Sequence, residues 1–192
     1  MRYPTYLLVL LTAFAGCRSK GAPADDSLPF AAGQVVYTRV GMHFDARRGK
    51  YLAASTNYVG VPHYLPPNTQ LTFNGATRRG VTLSDGDGTE YQISYNRRHS
   101  IPLEAWLTRQ FSTEPVTLPE TLTEDEREAI AAGECRAGMS RNAVFLAWGY
   151  PPHSTNPSLN AKTLNYEWLR VVKRSVRFGA DDRVEQVGGR RR

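Results

Sequence analysis

Two cysteines, four histidines and eighteen carboxylates are the side chains of this 192-residue chain that could do chemistry. Their spacing argues against most of it. His43, His63, His99 and His153 do not pair at metal-ligand distances, and there is no His-Glu-x-x-His. The chain has neither a Gly-x-Ser-x-Gly elbow nor a Ser-x-x-Lys, so a serine hydrolase is unsupported. Asp85-Gly86-Asp87-Gly88 alternates carboxylate and glycine as calcium loops do. It lacks the downstream bidentate Glu, and a plain β-turn explains it better. Glu120, Glu124, Asp125, Glu126 and Glu128 gather at an expected helix start, where negative charge favours the dipole. Cys135 is either a small buried hydrophobe or a free thiol, with no local base to activate it. No catalytic residue, metal ligand or cofactor site emerges.

The other cysteine reads differently. Arg2 is followed by the short apolar run Tyr6–Phe14, then Ala15-Gly16, then Cys17. The run is shorter than the roughly 20 residues a span requires and has the flanks of a signal peptide. A cysteine directly after two small residues resembles the bacterial lipobox, with Phe14 where Leu is usual. That resemblance implies a diacylated Cys17 thiol, cleavage before it and acylation of the new amino group. Anchoring by three chains is effectively permanent. Arg18-Ser19, rather than Asp, follows the cysteine, which implies the outer membrane with the protein facing the periplasm. Cys135 then has no intramolecular partner. The net charge of +6 is spread along the chain apart from the tail Gly189-Arg190-Arg191-Arg192. Such a tail could meet anionic lipid or simply be solvated. Nothing points to nucleic acid.

These residues need elements to hold them. Residues 17–33 read as the lipidated cysteine and a Gly/Ala/Pro/Ser tether. Over 34–112, strands are expected at Gln34–Val40, Lys50–Ala54, Thr56–Val59, Gln70–Asn74, Gly80–Leu83 and Thr89–Tyr95. Ser84–Gly88 is a hairpin signal. This spacing suggests a small barrel, and a helix from Ile101 to Phe111 should pack on it. Residues 113–122 form a linker. A second unit over 123–188 opens on the capping box Thr123-Glu124-Asp125-Glu126. Ser140 caps a further helix, and Gly149 with Pro151-Pro152 ends it. Three strands are expected after that, at Thr163–Leu169, Val171–Phe178 and Arg183–Val187.

Cys135 to Pro151, with Gly138-Met139-Ser140 and Gly149-Tyr150-Pro151 around a short Val-bearing helix, resembles the signature of the SmpA/OmlA (BamE-like) lipoproteins. Tyr166-Glu167-Trp168, Val176-Arg177-Phe178 and Asp182-Arg183-Val184 fit its later strands. The resemblance covers about residues 120–188, and typical members lack the β-rich half. It implies a C-terminal ααβββ domain; with the small SH3-like β-barrel read over residues 34–112, the chain is expected to be α+β. The resemblance also implies a non-enzymatic outer-membrane lipoprotein, a scaffold or accessory in outer-membrane protein assembly or envelope maintenance. Its partners would be envelope proteins such as barrel-assembly components, and anionic lipid. The basic side chains Arg170, Lys173, Arg174 and Arg177 would face such a partner. A different reading gives the N-terminal β-domain a peptidoglycan, peptide or glycan ligand, with Tyr58 and Tyr64 as exposed contacts.

Overall fold

The computed structural model describes residues 28–47, 49–56, 59–98, 100–168 and 172–191. Cys17, Tyr58, Arg170 and His99, all named above, lie outside the described residues.

Eight strands of the first half form one mixed sheet. They are β1 (Gln34–Thr38), β2 (Met42–Arg47), β3 (Lys50–Ala54), β4 (His63–Leu65), β5 (Gln70–Thr77), β6 (Gly80–Ser84), β7 (Glu90–Ser94) and β8 (Phe111–Ser112). Their order is β4-β2-β3-β7-β6-β5-β1-β8. All pairs are antiparallel except β3 with β7. The stretch carrying β1 and β2 stays beside the stretch carrying β5 and β4, with Gln34 opposite Phe73 and Phe44 opposite His63. The sheet therefore curls back on itself. Its interior holds Val36, Phe44, Leu71, Phe73, Val81, Leu83, Tyr91 and Ile93. Helix α1 (Leu103–Gln110) adds Trp106 and Leu107 to that core.

In the second half, α2 (Glu124–Ala132) and α3 (Arg141–Trp148) precede the antiparallel sheet β11-β10-β9. Its strands are β9 (Thr163–Trp168), β10 (Val172–Phe178) and β11 (Val184–Arg191). The capping box at Thr123 is complete, and Gly133 ends α2 in the left-handed conformation. The Ser140 hydroxyl caps α3 through the Ala143 N–H. Local chemistry thus placed both helix starts where the sequence signals stood. Asn156, buried in the loop that follows, spans to the Asn165 backbone with both its amide N and O.

The expected fold class does not hold. The chain is mostly β: an eight-stranded curled mixed sheet and a three-stranded sheet, with three α-helices among the described residues. It is not an SH3-like barrel joined to an ααβββ domain. One reason is that β2, β4 and β8, none of them expected as strands, all join the first sheet, β8 taking Phe111 from the end of the expected helix; the middle of the expected strand Thr56–Val59 lies outside the described residues. A second is the parallel β3/β7 pair, which no local pattern announces. A third is α3, where Arg141 and Ala143–Trp148 are all buried. A helix apolar on every side is buried on every side. Here α3 packs on α2, closes onto the core shared with β9–β11 and meets β2.

That meeting is close. The Gly41 N–H donates to the Leu146 carbonyl at 2.7 Å. A Cβ on Gly41 would lie 2.2 Å from the Ala147 oxygen, so only glycine fits there. Tyr64 donates its hydroxyl to the Ile130 carbonyl at 2.6 Å and lies against Gly133. Asn68 takes both the N–H and C=O of Val116.

Candidate functional site

Helix α1 is amphipathic over two turns. Trp106, Leu107 and Gln110 are buried, and the Trp106 indole donates to the Ser55 carbonyl at 3.2 Å. Glu104 in the first turn and Arg109 in the last complement the dipole. The outward flank, Glu104, Ala105, Thr108 and Arg109, forms one wall of a cavity of about 660 Å³ whose other walls are Arg39 and Tyr150. Beyond Pro102, which borders both, lies a second cavity of about 540 Å³. It is lined by Arg78, Tyr95, Arg97, Ser100 and Leu103. Together they make a groove along α1 where the two halves meet.

Packing sets its shape. The Arg109 guanidinium lies 4.8 Å above the Tyr150 ring, and that ring stacks on Phe145 of α3 at 4.9 Å. Arg39 is held through its backbone N–H, which donates to the Gln110 carbonyl at 2.7 Å. Tyr95 donates to the Ile101 carbonyl at 2.6 Å, and burial raises its pKa against the opposing pull of Arg97. Ser100 and Ser55 hydroxyls meet at 2.6 Å.

Charge distinguishes the groove. Among the described residues, none of Arg39, Arg78, Arg97 and Arg109 makes an ion pair, while Arg47, Arg136, Arg141, Arg177 and Arg183 all do. Four guanidinium groups and one carboxylate, Glu104, therefore border two adjoining cavities that share Pro102. Guanidinium forks suit oxyanions.

The residues expected to meet a partner fall in several places. Lys173 and Arg177 alternate with core residues on β10 and lie on its outer face, half-buried and exposed respectively. Arg177 pairs with Glu185 of β11 at 3.3 Å. Arg174 has the opposite orientation. Its guanidinium sits 5.9 Å from the Trp148 ring, and its charge opposes the rise of the Cys135 pKa. It is thus a core-side residue, because strand neighbours alternate faces. Tyr64 is a tie across the seam rather than an exposed contact, and burial pushes its pKa up.

The remaining candidates are structural. Cys135 is half-buried against the second core, and burial drives its thiol pKa to about 12. The Asp85 loop is a turn: its carboxylate accepts from the N–H of Asp87 and Thr89 and from the Tyr91 hydroxyl. Burial opposes ionisation of Asp85, but those bonds outweigh it and its pKa is lowered. His63 packs against the Tyr51 and Tyr91 rings, with centroids 4.0 and 5.7 Å away. His153 is exposed in a 3-10 turn at His153–Thr155.

His43 is the unusual one. It is 3% exposed on β2 and packs against the Tyr64 ring, centroids 4.8 Å apart and planes tilted by 43°. Neither ring nitrogen completes a hydrogen bond. Burial lowers its pKa to about 4, against a weaker opposite pull from the Ala147 carbonyl. Among the described residues no three His, Cys, Asp or Glu side chains lie together as a metal site would need. Sequence reading missed the groove because its arginines come from four separate stretches. Only Arg109, on the polar flank of an amphipathic helix, carried a signal.

Compared with family models, curated proteins and solved structures, the chain matches none.

Proposed function

We propose that this protein is a lipid-anchored, non-enzymatic accessory of the bacterial outer membrane. It faces the periplasm and binds a protein partner in outer-membrane protein assembly or envelope maintenance. The anchor is argued from the signal-like run before Cys17. The observation that carries the binding role is the free edge of β11. Residues 138–140 cover only the start of β11, where Gly138 N–H donates to Val184 O and Val184 N–H to Met139 O. From Glu185 onward no other element bonds that edge among the described residues. An edge of this kind accepts an added strand, and Lys173 and Arg177 stand on the adjoining outer face.

Two experiments test the reading. Full-length tagged protein, cross-linked in intact cells and analysed by mass spectrometry, should carry barrel-assembly or other envelope proteins. Reversing Lys173→Glu with Arg177→Glu should deplete them. Recovery of no envelope protein, or recovery indifferent to both changes, overturns the binding role. Cys17→Ser should release the protein from the membrane fraction; continued membrane association would overturn the anchor.

A further inference from the structure

We propose that the groove along α1 is a binding site for an extended acidic peptide segment, separate from the β11 edge. The unpaired arginines are the first observation. In the second half, Arg136, Arg141, Arg177 and Arg183 spend their charge on ion pairs within the fold. Arg39 and Arg109 on one side of Pro102, and Arg78 and Arg97 on the other, do not. Like charges gathered around a concavity repel one another and focus a positive potential into it. An anion entering the groove relieves that repulsion.

The kind of anion follows from the rest of the lining. An acyl chain would leave the four guanidinium groups around the groove without counter-charge. Glu104 lines the same cavity as Arg39 and Arg109, where its charge opposes a polyphosphate. A peptide tolerates it, because backbone N–H groups or a basic side chain can donate to that carboxylate. Tyr150, already stacked under Arg109, and Tyr95 provide ring faces for side chains between the acidic positions. A peptide of about six residues spans roughly 20 Å when extended.

Full-length protein in nonionic detergent micelles, titrated into fluorescein-labelled hexaglutamate at low salt, tests this by anisotropy. Saturable binding is expected, falling as salt rises. Arg39→Glu with Arg97→Glu should weaken it about tenfold or more. Both side chains are exposed, so circular dichroism and the melting temperature should be unchanged. Lys173→Glu with Arg177→Glu should leave the affinity alone, which separates this site from the β11 edge. Absence of saturable binding overturns the proposal, as does binding indifferent to the Arg39/Arg97 reversal. So does displacement of the label by inorganic tripolyphosphate at lower concentration than by unlabelled hexaglutamate.

Discussion

In the helix-and-sheet half, the charges that leave the surface are tied into the framework, whereas around α1 four guanidinium groups border a groove with no ion pair among the described residues. Arg141 shows the first mode. It is 8% exposed. It donates to the Asp182 carboxylate at 2.8 Å and to the Leu159 and Ala161 carbonyls at 2.7 and 3.0 Å, and lies 3.8 Å over the Phe178 ring. Glu126 is its counterpart on α2. Its carboxylate accepts from the Thr123 and Ser140 N–H groups at 2.9 and 2.7 Å and pairs with Arg183 at 3.5 Å. One buried acid thus fixes the start of α2 and the start of α3 together. A buried charge must be satisfied or it costs heavily, so these residues are committed to the fold. An exposed unpaired arginine costs the fold little and remains available to a ligand.

The contrast can be broken by mutation. Arg141→Ala should have the largest effect, about 4 kcal/mol by urea denaturation, because two carbonyls and a carboxylate lose their donor. A loss under about 1 kcal/mol would mean that Arg141 behaves as a surface residue, and the comparison would fail at its strongest point. Glu126→Ala should cost about 3 kcal/mol, with Thr123→Ala nearer 1 kcal/mol, since the threonine serves only one cap.

The seam between the halves supplies a pH test. His43 has a folded pKa of about 4 against 6.5, so the unfolded chain takes up its proton first. Stability should therefore be full above pH 6.5 and fall by about 3 kcal/mol as the pH drops to 4. His43→Phe should flatten that slope. Glu126 acts in a lower window. Burial pushes its pKa up, but the hydrogen bonds from Ser140 and Thr123 and the Arg183 charge outweigh it, and the net shift is downward from 4.5. Its contribution is full above pH 4.5 and is lost as the pH falls from 4.5 through its depressed folded pKa. A slope that persists between pH 6.5 and 4 in His43→Phe would place the sensitive group elsewhere.

The smallest expected effect sharpens the comparison most. Arg39→Ala and Arg97→Ala should each move stability by less than about 0.5 kcal/mol, while both weaken binding of the hexaglutamate probe. A large destabilisation from either would return these arginines to a structural role.

Much of the local framework could be read from residue order. Thr123 with Glu126, and Ser140 before Arg141, are caps whose hydrogen bonds close within three residues. The Asp85–Gly88 turn closes within four. Leu71 with Phe73 and Val81 with Leu83 alternate because a strand with one buried face must. The failures share a cause as well. Strand β2 is covered on both faces, by the sheet interior at Phe44 and by the seam at His43, so no alternation marks it. Tyr64 read as an exposed aromatic because its partners, Ile130 and Gly133, lie more than sixty residues away.

By itself, then, the sequence determined where helices start and stop, which turns form and which strand faces are apolar, because those interactions close within a few residues. Only the tertiary structure decided the parallel β3/β7 pair, the burial of α3 on every side, the inward turn of Arg174 and the meeting of Arg39, Arg78, Arg97 and Arg109 around α1. Each of these depends on segments brought together across tens of residues, and no short-range pattern encodes that proximity.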